Sequence, residues 1–354
     1  MNKERVTAQD GLSLETLQLL ELFQLAGGCF VGDADDDNND VNADHDHAAS
    51  AISKDTICIS YTAKDSQVIA ETYKRLQLAT DQAAANHAAN LQQRVVKDLL
   101  EPASNGVGNN KATAATAAAC LQELQTAGVV RINNALSREL AATCLEAINK
   151  SLTEPTADSQ FGNVFSRKNR YDMYLRPVQQ YKAALQSMLS EHAVLGQLFD
   201  AWLQDKEGVF HEFSALVADP GADSQPIHPD APYSHLAPLL TVFCALQDVV
   251  VGMGPTVFLS ASHSAKVHDS LTSPSKDAML AAAEYRQASL KAGDVAVMDA
   301  RTLHFGSANT SDKRRTLLYF TIRNPAHGTT NADFPDCGSL FSDLHMTTSD
   351  FSQI

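Results

Sequence analysis

Gln225-Pro226-Ile227-His228-Pro229-Asp230, with His304 and Arg315 far downstream, is the stretch on which the reading of this chain turns. Two imidazoles and one carboxylate are the ligand set that holds Fe(II) on one octahedral face and leaves the other face open. Residues two apart at a strand end project the same way, so His228 and Asp230 can reach one ion. His304 must then arrive on a distant strand that returns beside the first. Taken alone, His-x-Asp is a common triplet, and a surface turn shaped by Pro229 accounts for it too.

Working outward, Pro220-Gly221 precedes the triplet, and Leu240 to Asp248, Gly254-Pro255-Thr256 and Ser262-His263 follow it. Lys291 to Asp299, His304, Asn309-Thr310-Ser311 and Arg314-Arg315 complete the series. This ordered set resembles the phytanoyl-CoA dioxygenase family of Fe(II)/2-oxoglutarate oxygenases, from about Leu121 to Asn324. The resemblance implies His228, Asp230 and His304 as iron ligands, with Fe(II), 2-oxoglutarate and O2 as cofactor and co-substrates and ascorbate as a supporting reductant. It also implies an Arg eleven residues after the distal His, which is Arg315. A guanidinium fork matches the distal carboxylate of 2-oxoglutarate in a way that Lys cannot. Arg314 is expected on the opposite face of the same strand. Gln225 and Thr256 occupy places that hydrogen-bond the co-substrate in some members. Two departures stand out: Pro229 where many members have Gln, and Ser260-Ala261 where the family writes Pro-Gly before Ser-His.

Composition sets the frame. The formal charge is −15, and seven Asp with no Lys or Arg lie between Gly32 and Ser50, so the rest of the chain carries −8. That balance repels phosphate backbones and argues against a nucleic-acid partner. No run reaches the roughly 18 to 20 apolar residues of a membrane span. The N-terminus lacks an apolar signal core, and a cytoplasmic location is expected. Six scattered cysteines with no C-x-x-C pair fit buried thiols rather than a disulfide framework or a zinc-thiolate site.

Five segments are expected. Residues 1–31 contain a helix at Leu12 to Leu25, and 32–52 form an acidic, disordered linker. Asp33-x-Asp35-x-Asp37 opens like a calcium loop, but Asn38, Asp40 and Asp44 break that pattern, and a solvated linker is preferred. Residues 53–110 add a short strand near Ile57 to Tyr61, helix over 66–100 and a linker. Residues 111–325 form the dioxygenase domain, and 326–354 a loosely structured tail. Within the domain, helix is expected at 114–127, strand at 128–132, helix from Ser137 to Ser151 and helix over 178–206. The charged cluster Arg167 to Asp172 lies where the resemblance implies a border of the substrate entrance, and a solvated loop of ordinary surface charge accounts for it equally. From Val209 on, short runs at 211–217, 240–247, 255–259, 286–290, 294–299 and 315–322 are separated by Pro, Gly and Ser. They predict an α+β chain whose core is a double-stranded β-helix, a cupin-like jelly roll flanked by helices.

Three other histidines compete for a metal. His235 has no partner pattern, His263 sits in the Ser-His turn, and His268-Asp269 would point to opposite faces of a strand. Asp230 fills the place that related halogenases leave to chloride, so hydroxylation of a small-molecule substrate is expected, with release of succinate and CO2. The same ligands serve desaturation or cyclisation. Outside that chemistry stand a cupin-like enzyme independent of 2-oxoglutarate and a non-catalytic jelly-roll binding protein. The sequence sets neither the prime substrate nor the oligomeric state.

Overall fold

At Val209 the helical apolar spacing gives way to short apolar or alternating runs, and the chain folds accordingly. The structure, a computed structural model, describes residues 29–32, 58–61, 97–98, 110–156, 159–162, 168–204, 206–327 and 340–352. The chain divides into two compact units, Met1–Ala83 and Ala84–Ile354. In the first, β1 (Cys29–Gly32) pairs in parallel with β2 (Cys58–Tyr61), the latter close to the expected strand. The helix expected at Leu12 to Leu25 and the acidic linker lie outside the described residues.

The second unit is built on two sheets. Its strands are β3 (Lys97–Asp98), β4 (Val129–Ile132), β5 (Arg170–Tyr174), β6 (Val209–Ala218), β7 (Leu239–Ala245), β8 (Thr256–Leu259), β9 (Tyr285–Gln287), β10 (Val295–Asp299), β11 (His304–Gly306) and β12 (Arg315–Arg323). The larger sheet has the order β4-β10-β7-β12-β6-β5, and the smaller β11-β8-β9-β3. This is the expected jelly roll, with all six predicted runs present as strands. Because side chains alternate across a strand, β4, β10, β7 and β12 of the large sheet serve two cores. Phe213, Val242, Val297, Leu318 and Phe320 pack on one face, in a cluster with residues of the helices. Phe243, Ala296, Met298, Leu317 and Tyr319 pack on the other, against Phe258 of the small sheet.

The flanking helices are α1 (Asn110–Ala127), α2 (Arg138–Thr153), α3 (Gln179–Leu189) and α4 (Val194–Leu203). Short α5 (Ala265–Leu271), α6 (Lys276–Ala282) and α7 (Ser349–Ser352) lie later in the chain. Ser137 caps α2, its hydroxyl accepting from the amide of Leu140, as the expected start requires. The Cys120, Cys144 and Cys244 thiols are buried and pushed up from their usual range by desolvation, to about 11 for the first two.

Four expectations need correction. The single helix over 178–206 is two, because Ser190 and Ala193 take extended backbone angles. Gly196 then lets α4 start tight against α3, where a Cβ would lie 2.1 Å from the Ser190 carbonyl oxygen. The cluster 167–172 is no loop at its end: Arg170 and Asp172 are buried on β5, 5% and 6% exposed. Lys97–Asp98, placed in a helix by composition, pairs instead with β9 as an edge strand; the rest of 66–100 lies outside the described residues. The described residues 340–352 are also less loose than the expected tail. Phe341, Met346 and Phe351 are buried, and the Met346 carbonyl accepts from the amide of Phe210.

Ala261 explains what the missing Pro-Gly does. Its φ is +59°, in the left-handed region that costs an L-residue about 1 kcal/mol and glycine almost nothing. Its amide is pinned to the Ala127 carbonyl at 2.8 Å, so the turn cannot relax. Ala261→Gly should therefore stabilise the unit by about 1 kcal/mol, partly offset by the entropy glycine adds to the unfolded chain. Thermal unfolding checks this, and a lowered melting temperature refutes it.

Candidate active site

His228 and His304 face each other across a two-way backbone bridge. The amide of His228 donates to the His304 carbonyl at 3.0 Å, and the reverse bond is 2.9 Å. Directly opposed residues project from the same face, and the two rings lie 4.5 Å apart between centroids. Asp230 comes in because its amide and that of Ala231 both donate to the Ala300 carbonyl, each at 2.9 Å. One carboxylate oxygen of Asp230 then lies 3.7 Å from His228 Nε2 and 3.5 Å from His304 Nε2. Among the described residues this is the one group of three such side chains whose ligand atoms fall within 4.8 Å of one another.

The donor set fits a cation. His228 Nδ1 is 2.8 Å from the Pro226 carbonyl, and His304 Nδ1 is 3.0 Å from that of Thr302. A carbonyl only accepts, so each Nδ1 carries the proton and each Nε2 lone pair is available to a metal. Burial holds both imidazoles down at about 4 against the usual 6.5, with His304 adding to the effect on His228. Burial pushes Asp230 up to about 6, opposed by His228. Phe258 stacks on the His304 ring at 6.1 Å and Phe243 meets its edge at 6.2 Å, fixing the ring by packing.

The co-substrate residues read from the sequence gather nearby. Arg315, 3% exposed, donates from Nη1 to the Gly254 carbonyl at 3.0 Å, while its buried Nε has no hydrogen-bond partner among the described residues. Burial, and then the neighbouring Arg170, lower its guanidinium to about 9. A buried cation left in this state is costly unless an anion joins it. Arg314 turns the other way, as expected, to a carboxylate of Asp219. Gln225 braces the histidine strand itself: its side-chain carbonyl accepts from the Gly306 amide at 2.9 Å. Thr256 is the cross-strand partner of Gly306, so Gln225 and Thr256 meet at the same backbone unit. Gly254 has φ +71°, and a Cβ there would lie 2.4 Å from the Ser307 carbonyl oxygen. Of the competing histidines, His263 bonds the Gln125 carbonyl and His268 that of Arg301, so neither joins the cluster.

Three features escaped the sequence reading. Asp299 and Arg301 form a buried ion pair, 2.6 Å at its closest, and Arg301 also donates to the His235 carbonyl. It ties the turn before His304 to the loop after Asp230. Glu212 accepts from Tyr319 and Thr321, and burial together with Asp230 pushes it up to about 8. Arg170 donates to the carbonyls of Asp223, Gly306 and Ser307. The period-two pattern Arg170-x-Asp172-x-Tyr174 was the available signal for β5, masked by its charge.

A jelly roll carrying two imidazoles, a carboxylate and an unmatched buried guanidinium has the architecture and the donor set of a non-haem iron oxygenase. Residues 124–317, more than half of the chain, match the family phytanoyl-CoA dioxygenase (PhyH). The chain belongs to this family, and is an oxygenase that depends on Fe(II), 2-oxoglutarate and O2. No curated protein matches it. Among solved structures it resembles the epimerase SnoN in complex with Fe3+, alpha-ketoglutarate and nogalamycin RO. The identity is 17% with a TM-score of 0.50, over 66% of this chain and 99% of that one. The carbocyclase SnoK from nogalamycin biosynthesis is 19% identical with a TM-score of 0.44, over 58% and 83%. AviO1 from Streptomyces viridochromogenes Tue57 is 17% identical with a TM-score of 0.46, over 59% and 95%. Among the described residues no helix is long and apolar enough to cross a membrane.

The titration of the cluster gives a directional test. Metal binding needs two neutral imidazoles and an ionised Asp230. The imidazoles charge only near 4, so Asp230 is the one of the three that titrates close to neutrality. Divalent-metal affinity should be level well above pH 6 and fall about tenfold per unit below it, with one proton released. Calorimetric titration across pH reads this. A two-proton dependence centred near 6.5 would mean that the histidines are not held neutral.

Proposed function

We propose that the chain hydroxylates a small-molecule substrate, with His228, Asp230 and His304 holding Fe(II) and Arg315 seating the distal carboxylate of 2-oxoglutarate. The observation that carries this is the convergence of three ligand atoms within 4.8 Å, together with a buried guanidinium that no carboxylate among the described residues neutralises. When bound, iron supplies the activation of O2 that couples oxidative decarboxylation of the keto-diacid to oxidation of the substrate.

The side chains supply placement. The Pro226 and Thr302 carbonyls keep each Nδ1 protonated, so the metal-facing nitrogens stay basic. Phe243 and Phe258 keep water from the inner side of His304. Arg315, tethered through Nη1 to Gly254, offers its remaining donors to a carboxylate. Asp230 occupies a ligand place with carboxylate, which leaves no vacancy there for halide and favours oxygen transfer to the substrate. Fold likeness to an epimerase and a carbocyclase does not choose among outcomes, because ligand sets of this kind serve several.

Anaerobic addition of 2-oxoglutarate to the Fe(II)-loaded protein should produce a weak visible charge-transfer band. His228→Ala and Asp230→Ala should abolish it, whereas Cys244→Ser, on the helix-packed face, should leave it intact. Arg315→Ala should weaken 2-oxoglutarate by roughly a hundredfold, as expected for loss of a buried charge-assisted pair. Survival of the band in both ligand variants would overturn the assignment. For hydroxylation itself, labelled O2 should place one labelled atom in succinate and one in product, and an unlabelled product would point to desaturation or cyclisation.

A further inference from the structure

Ala218 of β6 has a basic partner on each side. Arg315 of β12 is opposite it on one flank, and Arg170 of β5 on the other. Residues in register on adjacent strands project from one face, so both guanidinium-bearing residues rise from the same side of the sheet. Their backbones are two strand spacings apart, roughly 9 to 10 Å, with the small methyl of Ala218 between them. Both are buried, Arg315 at 3% and Arg170 at 5% exposed. Neither reaches a carboxylate within ion-pair distance among the described residues, and Arg170 donates only to backbone: Asp223 at 2.8 Å, Gly306 at 3.2 Å, and Ser307. Its guanidinium lies hard against the strand of His304. A Cβ added to Gly306 would be 2.7 Å from Arg170 Nη1 and 2.6 Å from the Gln225 side-chain oxygen. Two buried like charges on one rung are a liability in the protein alone and an asset once an anion lies beside them.

We propose that Arg170 is a positioning residue for the co-substrate: without touching it, Arg170 supplies a second positive charge that the distal carboxylate of 2-oxoglutarate meets at the Arg315 end of the site. This rests on Arg315 as the seat of that carboxylate. The carbonyls of Asp223, Gly306 and Ser307 hold the Arg170 guanidinium in place, so its charge is fixed and costs nothing to reorient. A unit charge 8 to 10 Å away at an effective dielectric of about 20 changes affinity by roughly ten- to thirtyfold.

The test uses the full-length, Fe(II)-loaded protein without oxygen, titrated with 2-oxoglutarate and with 2-oxobutyrate, which lacks the distal carboxylate. The charge-transfer band is the readout. Arg170→Gln should weaken 2-oxoglutarate by roughly ten- to thirtyfold and 2-oxobutyrate by less than about threefold. Arg170→Lys keeps the charge and should stay within about threefold of wild type for both. Unchanged 2-oxoglutarate affinity in Arg170→Gln, or equal losses for the two acids, would overturn the proposal. Should Arg170→Gln fail to fold, Arg170→Lys decides: loss of 2-oxoglutarate affinity, equal or selective, counts against a charge role. Arg315→Gln separates the two readings. If it weakens 2-oxoglutarate selectively while Arg170→Gln does not, only the present proposal fails; if it has no selective effect, the seat itself is elsewhere.

Discussion

The pair of backbone hydrogen bonds between His228 and His304 is the constraint on which the site depends. The two residues are 76 positions apart in sequence, and no local propensity could bring them together. The bridge makes them a directly opposed pair, and the pleat then points both rings the same way. Everything else in the centre works around that pair. Asp230 is added by the bonds to Ala300, and the rings are turned by the carbonyls of Pro226 and Thr302.

Holding that bridge in register takes support from several directions. The Asp299–Arg301 ion pair fixes the turn that precedes His304 and reaches the loop that follows Asp230. Gln225 and Arg170 clamp the backbone immediately after His304. The hydrophobic packing of Phe243 and Phe258 closes the inner side. Such a centre is polar in its contacts and apolar in its walls. This combination shifts the imidazoles down and Asp230 up, and leaves the Arg315 charge waiting for a partner.

Much of this was legible before any coordinates. Six of the seven strands from Val209 onward show as short apolar or alternating runs, and β7 and β10 read as nearly unbroken apolar stretches because both of their faces are buried, one in each core. The proposed ligands and Arg315 were legible through their order and spacing. What stayed hidden has a common cause. β5 and β3 carry charged residues, and β11 is only three residues long, so none offers an apolar pattern. The break between α3 and α4 leaves no Pro or Gly at the break itself; the glycine that permits it lies within the next helix. The bond that Gln225 makes to Gly306 stayed hidden as well, because it depends on a strand that the sequence does not announce.

The smallest strand has a practical bearing. β3 covers one side of β9 with a parallel pairing at the rim of the four-stranded sheet. A chain trimmed to begin at residue 111, where the sequence suggests the enzyme starts, would strip that cover and leave the outer edge of β9 without its strand partner. Open rims of this kind recruit other molecules, so such a shortened protein would tend to self-associate for reasons unrelated to its chemistry. Two residues, Lys97 and Asp98, thus close a rim that such a cut would open.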